Sequence, residues 1–303
     1  MPELPEVETV RIGLSTLLPG KQVRSVWHDW PKGFPNAASD VAAFLEGATI
    51  RGVRRRAKVL LIDVSTDYTI VIHLKMTGQL VFRGGDARFG AGHPNESLVG
   101  ELPDKSTRVV FTFTDDSKLF FNDQRKFGWV RLMPTVEVET MDFFQKVGPE
   151  PLAADFTAAA FIARLRRRHK SGIKAVLLDQ TVVAGIGNIY ADESLWGAKI
   201  HPETRVQDVP DEQLEVLFAA LQAVLQTSIE KGGSTDRNYV NAEGKRGSYL
   251  TFANVFRREG KPCPRCGTTI IKTRVAGRGT HTCPVCQPKP YVIPDPDPGT
   301  SKN

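Results

Sequence analysis

The sequence changes character near Pro134, and this change limits the folds that the chain can adopt. Before it, runs rich in β-branched and aromatic residues alternate with turn-forming residues, as is typical of strands: residues 21–27, 54–64, 68–82, 108–114 and 118–133. After it, apolar residues recur at helical spacing in residues 156–169, 173–180, 189–196 and 212–231. A chain of 303 residues can bury two cores. We therefore expect an α+β protein with a β-rich first domain and a helical second domain.

Proline and glycine mark the expected limits of these domains. Met133-Pro134 and Val147-Gly148-Pro149 interrupt both patterns. We predict a first domain over residues 1–134, a linker over 135–151, a helical domain over 152–255 and a terminal finger over 256–288. Residues 83–105 carry glycine, proline and polar residues and are expected to form a long surface loop. The proline-rich, polar residues 289–303 are expected to be a disordered tail.

All cysteines of the chain lie between Cys263 and Cys286. They form two Cys-x-x-Cys pairs, Cys263 with Cys266 and Cys283 with Cys286, and this arrangement is typical of four thiolates around one tetrahedral zinc ion. Four sulfur ligands leave no open coordination position, so the expected zinc is structural and not catalytic. Two disulfides or free thiols are the alternatives, and both fit poorly with an expected cytoplasmic location.

The charge of the chain favours an anionic partner. Lysine and arginine number 40 against 34 aspartate and glutamate, for a net charge of +6 and a pI near 9.1. This moderate excess proves little alone, but it favours an anionic partner such as nucleic acid. No apolar run is long enough to span a membrane, and the acidic N-terminus lacks the basic and apolar regions of a signal peptide. We expect a cytoplasmic protein with no membrane partner.

The first residues, Met1-Pro-Glu-Leu-Pro-Glu-Val-Glu, suggest covalent chemistry. Proline at position 2 is small enough for the initiator methionine to be removed, which would leave Pro2 with a free secondary amine. Such an amine forms an iminium ion with an aldehyde-level carbon, and an α-amine titrates near ~7.7–8, so it is partly neutral at working pH. Glu3 lies beside it, where a carboxylate could move protons. The alternative is an ordinary helix start, because Pro5 suits a first helical position.

Two motifs carry side chains that could enter a DNA duplex. In Asp123-Gln-Arg-Lys-Phe-Gly, Arg125 and Phe127 lie two residues apart, on one face if the chain is extended. A guanidinium that reads a base edge beside a ring that stacks is a device for binding nucleic acid. Met76, in His73-Leu-Lys-Met-Thr-Gly, could be a second wedge. Core packing is the alternative for both Met76 and Phe127.

Three further residues could lie at a binding site, and two of them, Arg278 and Asn188, could meet phosphates. Lys58 directly precedes an apolar strand and could be fixed near a site. Arg278 lies between two glycines in the stretch that joins the cysteine pairs, where a β-hairpin could present it to a phosphate. Asn188 follows a Gly-x-Gly turn between two predicted helices, where it could cap a helix or present amide groups to a phosphate. The alternatives are a solvated charge run, a solvated basic turn and a simple cap.

Together these motifs resemble those of the formamidopyrimidine-DNA glycosylase family of bifunctional base-excision repair enzymes. The matching stretches, in order, are Met1-Pro-Glu-Leu-Pro-Glu, His73-Leu-Lys-Met-Thr-Gly, Asp123-Gln-Arg-Lys-Phe-Gly, Gly185-Ile-Gly-Asn-Ile-Tyr and the four-cysteine finger. The sister endonuclease VIII group usually has glycine where this chain has Leu4, so the guanine-lesion branch is the closer match. The resemblance implies an N-terminal β-sandwich, a helix–two-turn–helix domain and a β-hairpin zinc finger, with damaged double-stranded DNA held between the two halves.

The resemblance also implies a role for each matching residue. Pro2 would attack C1′ of the damaged nucleotide and Glu3 would assist opening of the sugar ring. Lys58 and Arg278 would complete the catalytic group, and Glu6 would order the N-terminus. The residues implied to contact DNA are Met76, Arg125, Phe127, Asn188, Arg237, Lys174 and His73. The implied enzyme is a monomer with one structural zinc and no catalytic metal, which removes oxidised purines and cleaves the strand by β,δ-elimination.

Residues 232–249 resemble the family's loop that closes over the extruded base. Family members commonly have an apolar residue and then lysine or arginine after a Ser/Thr-Thr pair, whereas here Asp236 and Arg237 follow. This departure affects the base-specific contacts and not the chemistry. Two other functions are alternatives: a protein that binds damaged DNA without cutting it, and an enzyme of the same family specialised for oxidised pyrimidines. Pro2 and Glu3 argue against the first, and Leu4 and the long loop against the second.

Overall fold

A computed structural model describes residues 2–93, 95–233 and 249–290 of the chain. Residues 234–248, with Asp236 and Arg237 of the expected closing loop, lie outside the described residues, as do residues 291–303 of the expected tail. The described residues build one core in the β-rich half and another in the helical half, so the predicted α+β class is confirmed. In this part of the chain no helix has the length and apolar character needed to cross a bilayer.

The chain begins with helix α1 (Leu4–Leu17), whose first turn is closed by two glutamates. Glu3 is the N-cap residue, and its backbone N–H donates a hydrogen bond to the Glu6 carboxylate at 2.8 Å. This hydrogen bond satisfies a donor that a helix start otherwise leaves free. The backbone N–H of Leu4 donates to the carbonyl of Gly185 at 3.0 Å, so the start of α1 is tied to the second domain.

The first domain is a sandwich of two antiparallel sheets. Its strands are β1 (Val23–His28), β2 (Ile50–Arg56), β3 (Val59–Val64), β4 (Tyr68–His73), β5 (Gly78–Gly84), β6 (Ala87–Gly92), β7 (Thr107–Phe113), β8 (Lys118–Asp123) and β9 (Trp129–Pro134), with α2 (Ala38–Phe44) after β1. One sheet has the strand order β1-β7-β8-β5-β6 and the other β2-β3-β4-β9. Side chains of both share one core, with Leu60 and Ile72 from one sheet and Phe82 and Phe121 from the other. The predicted β-sandwich is confirmed.

Three segments predicted as single strands are each divided in the structure. Residues 54–64 belong to the β2–β3 hairpin, which turns at Ala57 with a φ of 53°. Residues 68–82 contain β4 and β5, and residues 118–133 contain β8 and β9; each time the chain passes from one sheet to the other. The left-handed residues of those two turns are Lys75 and Lys126. Lysine is not a typical turn residue, so composition alone did not reveal these breaks.

The long surface loop predicted over residues 83–105 was wrong, because this segment is largely ordered against the sandwich. It contains β6 and a 3-10 turn at Glu96–Leu98. Phe89 and Leu98 are buried, and the Asn95 side chain accepts a hydrogen bond from the N–H of Ser97 at 2.9 Å. In this segment, glycines lie in an edge strand and polar residues form a buried network. Both features have the composition of a loop, which is why the sequence predicted one.

The chain after the sandwich contains the helices α3 (Asp142–Lys146), α4 (Ala158–Arg166), α5 (Ile173–Leu178), α6 (Asn188–Gly197), α7 (Asp211–Glu230) and α8 (Tyr249–Phe252). Helices α4 to α7 pack around a separate apolar core, whereas Phe144 of α3 packs against Val59 and Leu61 of the sandwich. Helices α4 to α7 correspond to the four predicted helices, with small differences at their ends. The short helix α3 lies in the predicted linker. Helix α6 is buried along most of its length, including the acidic side chains of Asp192 and Glu193.

The C-terminal finger is a hairpin of β10 (Ile271–Val275) and β11 (Arg278–Thr282). Ala276 and Gly277 form its turn with φ angles of 50° and 72°, the positive values that tight hairpin turns require. Glu193 ties the segment before the finger to α6. Its buried carboxylate accepts hydrogen bonds at 2.8 to 2.9 Å from the backbone N–H groups of Asn254, Val255 and Phe256.

Candidate active site

A cavity of about 530 Å³ lies between the two domains. The sandwich and the chain start contribute Pro2, Glu3 and Lys58, and the second domain and finger contribute Asn188 and Arg278. The fold therefore brings together, around one space, side chains from four motifs that are far apart in the sequence. Pro2 is buried in the cavity wall, directly before the capping residue of α1.

Glu3 reaches across the cavity to the N-terminus of α6. Its carboxylate accepts hydrogen bonds from the backbone N–H of Ile189 at 3.1 Å and of Tyr190 at 3.5 Å. A methyl group at Gly187 would overlap this carboxylate, so glycine is required there by the close approach. Burial raises the pKa of Glu3 to about 7, against the lowering effect of the Lys58 cation. A carboxyl group with a pKa near neutrality is suited to both donating and accepting a proton.

Lys58 is buried beside Glu3. Its ammonium donates a hydrogen bond to the carbonyl of Ile186 at 2.8 Å. Burial lowers the pKa of Lys58, and the nearby carboxylate of Glu3 opposes that shift. The residue before it, Ala57, donates its backbone N–H to the Glu150 carboxylate at 2.5 Å. The Lys58 side chain is therefore held in the site by the second domain, Glu150 fixes the backbone before it, and Lys58 is not part of a solvated charge run.

Glu6 has partners in both domains. Besides the N–H of Glu3, it accepts the hydroxyl of Tyr190 at 2.6 Å, and that hydroxyl also lies 2.6 Å from the hydroxyl of Ser228. Tyr190 and Ser228 are fully buried. Burial and the Glu6 carboxylate raise the pKa of Tyr190, so the phenol stays protonated and acts as a donor.

Asn188 and Arg278 both lie where α6 approaches the finger. The side-chain amide of Asn188 donates to the carbonyl of Gly279 at 2.8 Å. Gly187 is the N-cap of α6, so the suggestion that Asn188 caps this helix is corrected. Its side chain instead points across to the hairpin. Arg278 is exposed at the hairpin turn and lines the cavity, which agrees with a side chain presented to a ligand.

Met76, Arg125 and Phe127 lie on two neighbouring turns that Asp123 joins. The fully buried Asp123 carboxylate accepts hydrogen bonds from the Thr77 hydroxyl and from the Arg125 N–H, the latter at 3.2 Å. The Arg125 guanidinium lies 4.6 Å from the centre of the Phe127 ring. Because the Phe127 side chain is 51% exposed, core packing is excluded for it. The two turns form a rigid surface that carries an exposed ring and a cation.

Three family models match the chain in the order of these motifs. The formamidopyrimidine-DNA glycosylase N-terminal domain matches residues 1–130 and the H2TH domain of the same family matches residues 147–239. A zinc finger found in FPG and IleRS matches residues 260–289. The chain belongs to the formamidopyrimidine-DNA glycosylase family.

Relatives in this family are similar over almost their full length. The chain is 43% identical over 287 residues to the formamidopyrimidine-DNA glycosylase of Pediococcus pentosaceus, covering 95% of this chain and 99% of the relative. It is 42% identical over 288 residues to that of Enterococcus faecalis, covering 95% and 97%. The structure is also similar to wild-type Lactococcus lactis Fpg bound to DNA containing N7-benzyl-Fapy-dG, with a TM-score of 0.83, 37% identity and coverage of 95% and 100%.

A second solved structure shows the same likeness with another DNA. It is the Lactococcus lactis Fpg bound to DNA containing an abasic site, with a TM-score of 0.82, 36% identity and coverage of 95% of this chain and 100% of that chain. The similarity to both complexes extends over sandwich, helical domain and finger. The predicted family and fold are therefore confirmed.

Lys174 has a different position from the one that the family resemblance implied. Its side chain and that of Asp192 are both 0% exposed, and the Lys174 ammonium lies 2.6 Å from the Asp192 carboxylate and 2.7 Å from the Thr280 hydroxyl. A buried, fully paired ammonium cannot meet a phosphate. We correct its role from DNA contact to positioning, because it holds β11 of the finger against α5 and α6.

His73 lines the cavity but carries no charge for a phosphate. Its ring is buried between Trp129 and Phe143, and its Nδ1 accepts the backbone N–H of Lys75 at 3.0 Å. Burial and the nearby cations of Lys75 and Lys58 lower the pKa of His73 to about 3. The imidazole is neutral at physiological pH, so any contact with DNA would be through an uncharged ring.

The four cysteines of the finger fit one zinc ion in this member of the family. Their Sγ atoms lie within 4.8 Å of one another, with 3.9 Å between Cys263 and Cys286 and 3.4 Å between Cys266 and Cys283. Thiolates about 2.3 Å from a tetrahedral zinc lie roughly 3.8 Å apart. Within the described ranges, no other group of three or more His, Cys, Asp or Glu could hold a metal. A zinc ion held by these four thiolates would join both knuckles and so fix the base of the hairpin that carries Arg278.

Several residues that organise the site were not predicted. Tyr190, Asp192 and Glu193 make long-range contacts from α6, and Asp123 joins the two turns described above. One signal was present in the sequence for the helical residues. Asp192 and Glu193 follow Ile189, Tyr190 and Ala191 and precede Leu195 and Trp196 in one helix, and an acid that such a largely apolar helix buries requires partners.

Proposed function

We propose that this chain is a base-excision repair DNA glycosylase. In the proposed reaction it removes oxidised purines, such as 8-oxoguanine and formamidopyrimidines, from double-stranded DNA and then cuts the strand. Family membership and the likeness to Fpg bound to Fapy-type and abasic-site DNA support this proposal. The observation that carries the proposal is that Pro2 and Glu3 line the same cavity and that burial raises the pKa of Glu3 to about 7.

The first step is attack by the Pro2 amine on C1′ of the damaged nucleotide, after removal of the initiator methionine. A bond forms between the amine nitrogen and C1′, the glycosidic bond breaks, and the amine proton passes to the departing base. Glu3, which is partly protonated near neutral pH, gives a proton to the ring oxygen. The sugar ring then opens and the nitrogen lone pair completes an iminium ion.

Strand cleavage follows from the electron demand of that iminium. It acidifies the proton on C2′, and loss of this proton breaks the bond between C3′ and its phosphate oxygen. Loss of a second proton, from C4′, breaks the bond between C5′ and the other phosphate. Both phosphates remain on the ends of a one-nucleotide gap, and hydrolysis of the imine releases Pro2. Lys58, beside Glu3, supports these eliminations by contacting the backbone near the lesion.

The remaining site residues would hold the DNA in its opened form. Asn188 and Arg278 grip phosphates that flank the everted nucleotide, and Arg237 belongs to the loop that closes over the base. Met76, Arg125 and Phe127 fill the gap in the duplex, with Arg125 facing the orphaned cytosine. Flipping the damaged nucleotide out of the duplex costs a few kcal/mol, and it costs less for a poorly paired base. The positive charge of the cleft makes binding weaken as salt rises.

The same proposal includes a monomer that works where the genome lies. One chain supplies every side chain named in the chemistry, so no second subunit is needed. A repair enzyme for chromosomal DNA acts in the cytoplasm and associates with the nucleoid when bound.

Cleavage of three duplexes tests this function: one with 8-oxoguanine opposite cytosine, one with thymine glycol, and one undamaged. We expect the 8-oxoguanine strand to be cut to a gap with phosphates on both ends, faster than the thymine glycol strand. The reverse order would indicate an enzyme for oxidised pyrimidines. Binding of the damaged duplex without cleavage would indicate a protein that only recognises damage.

A further inference from the structure

A histidine outside every recognised motif lines the cavity from the first domain. His93 directly follows β6, in the segment first predicted as a surface loop, and it shares the cavity wall with Lys75 and Met76. Within the part of the chain that the structure describes, neither ring nitrogen of His93 has a hydrogen-bond partner. A half-buried imidazole that faces a cavity with free nitrogens is available to a ligand.

The backbone of His93 is held in place from two sides. Its N–H donates to the carbonyl of Gly78 at 3.0 Å, and its carbonyl accepts the side-chain amide of Gln79. Gln79 is fully buried and donates also to Asn95 at 2.7 Å. Gly92 has a φ of 125°, and a methyl group there would strike the Gly78 carbonyl, so only glycine allows this approach. The position of His93 is thus set by the fold.

A buried polar network stiffens the segment that follows His93. The Asp104 carboxylate accepts the Ser97 hydroxyl at 2.5 Å and both the N–H and the hydroxyl of Ser106 at 2.7 Å. Ser97 and Ser106 are buried. Buried hydroxyls that are hydrogen-bonded to a carboxylate in this way make the local structure rigid. This segment is therefore a support that keeps the imidazole at the cavity.

The surroundings of His93 suit an anion. Lys58, Lys75 and Arg278 line the same cavity, and an imidazole offers one N–H donor when neutral and two when protonated. We propose that His93 binds a phosphate oxygen of the damaged strand beside the everted nucleotide. This inference rests on the proposed function. It adds a substrate-contacting residue from β6 to those that the motifs supply.

Binding to abasic-site analogue DNA tests this contact. The probe is a duplex with a tetrahydrofuran residue, in which one phosphate of the damaged strand at a time is replaced by an uncharged methylphosphonate. We expect His93→Gln to weaken binding of the unmodified duplex about tenfold, the size of a lost hydrogen bond to a charged group. At one position, the methylphosphonate should weaken the wild type by a similar factor and His93→Gln hardly at all, because both changes remove one contact. His93→Arg should bind like the wild type and keep its sensitivity at that position.

The matched control is His28→Gln, whose ring packs edge-on against Phe34 outside the cavity. This variant should bind the unmodified duplex and every methylphosphonate duplex as the wild type does. Full additivity of His93→Gln with every methylphosphonate would overturn the phosphate contact, as would unchanged binding by His93→Gln. If His93→Gln does not fold, the test uses His93→Arg. Loss of methylphosphonate sensitivity in folded His93→Arg would then overturn the phosphate contact. Failure of the wild type to bind the analogue would instead refute the proposed function.

Discussion

The hydroxyl of Tyr190 donates a hydrogen bond to Glu6 at 2.6 Å, from the helical domain to the first helix of the sandwich domain. The other carboxylate oxygen of Glu6 accepts the backbone N–H of Glu3 at 2.8 Å. A buried phenol of one domain thereby holds the backbone that follows Pro2 in the other. The same hydrogen bonds therefore join the two domains and position the nucleophile.

Tyr190→Phe should slow the covalent step without weakening DNA binding. The change leaves Glu6 and Ser228 without the shared hydroxyl, and an unsatisfied buried polar group costs about 1–3 kcal/mol. We expect a loss of stability of that size in urea unfolding. We also expect a single-turnover rate of borohydride trapping at least about tenfold lower, since small displacements of reacting groups reduce rates steeply. Affinity for abasic-analogue DNA should stay unchanged.

Tyr68→Phe is the matched control, because Tyr68 stacks on Phe44 far from the cavity. It should leave the trapping rate unchanged. Equal trapping rates for Tyr190→Phe and the wild type would show that the hydroxyl does not position Pro2.

Base excision should slow as pH rises above neutrality. The pKa of Glu3 is raised to about 7 by burial, so its carboxyl is mostly protonated below pH 7 and mostly ionised above it. If Glu3 donates the proton that opens the sugar ring, the protonated fraction limits the rate and falls about tenfold per pH unit well above 7. Single-turnover excision of 8-oxoguanine from pH 5.5 to 9.5 measures this fall.

Glu3→Gln should remove the falling limb and reduce the excision rate by roughly 10²–10⁴-fold, the usual contribution of a general acid. Binding of abasic-analogue DNA should persist in this variant. A falling limb that survives in Glu3→Gln would assign that titration to another group.

Lys174→Met and Arg278→Ala should fail in different ways. Lys174 forms a buried ion pair with Asp192, and loss of one partner of such a pair costs about 3–5 kcal/mol. We expect Lys174→Met to lower stability by that amount and to leave the slope of log K against log salt unchanged. Arg278→Ala should reduce the magnitude of that slope by about 0.9, the value for one lost phosphate contact, with little change in stability.

Lys170→Met is the control for Lys174→Met, since Lys170 lies four residues earlier in the chain and its side chain is exposed. It should lower stability little. A reduced salt slope in Lys174→Met, with the fold intact, would restore Lys174 to the set of residues that contact DNA.

The part of the site that could be predicted is the part written in contiguous motifs. Pro2 and Glu3 are adjacent, Lys58 opens a strand, and the cysteine pairs have a spacing with few interpretations. The chemistry of these residues depends on neighbours in the sequence, so the residue types indicate it. The limits of the domains at residues 134 and 151 stay a prediction.

The contacts that escaped prediction depend on which distant elements pack together. Nothing next to Tyr190 in the sequence indicates Glu6, and nothing next to Lys174 indicates Asp192 or Thr280. The strand breaks at Lys75 and Lys126 were missed for a related reason. The flanking residues keep strand-like patterns on both sides of each turn, because the chain leaves one sheet for the other of the same sandwich.

The most direct test of the central claim is to identify the residue that becomes bonded to DNA. The purified enzyme is reduced with borohydride during turnover of 8-oxoguanine DNA, digested, and the modified peptide is sequenced by mass spectrometry. We predict an adduct on the α-nitrogen of Pro2 in chains that have lost Met1, and no comparable adduct from Pro2→Gly. An adduct on a lysine, or trapping by chains that retain Met1, would contradict the account.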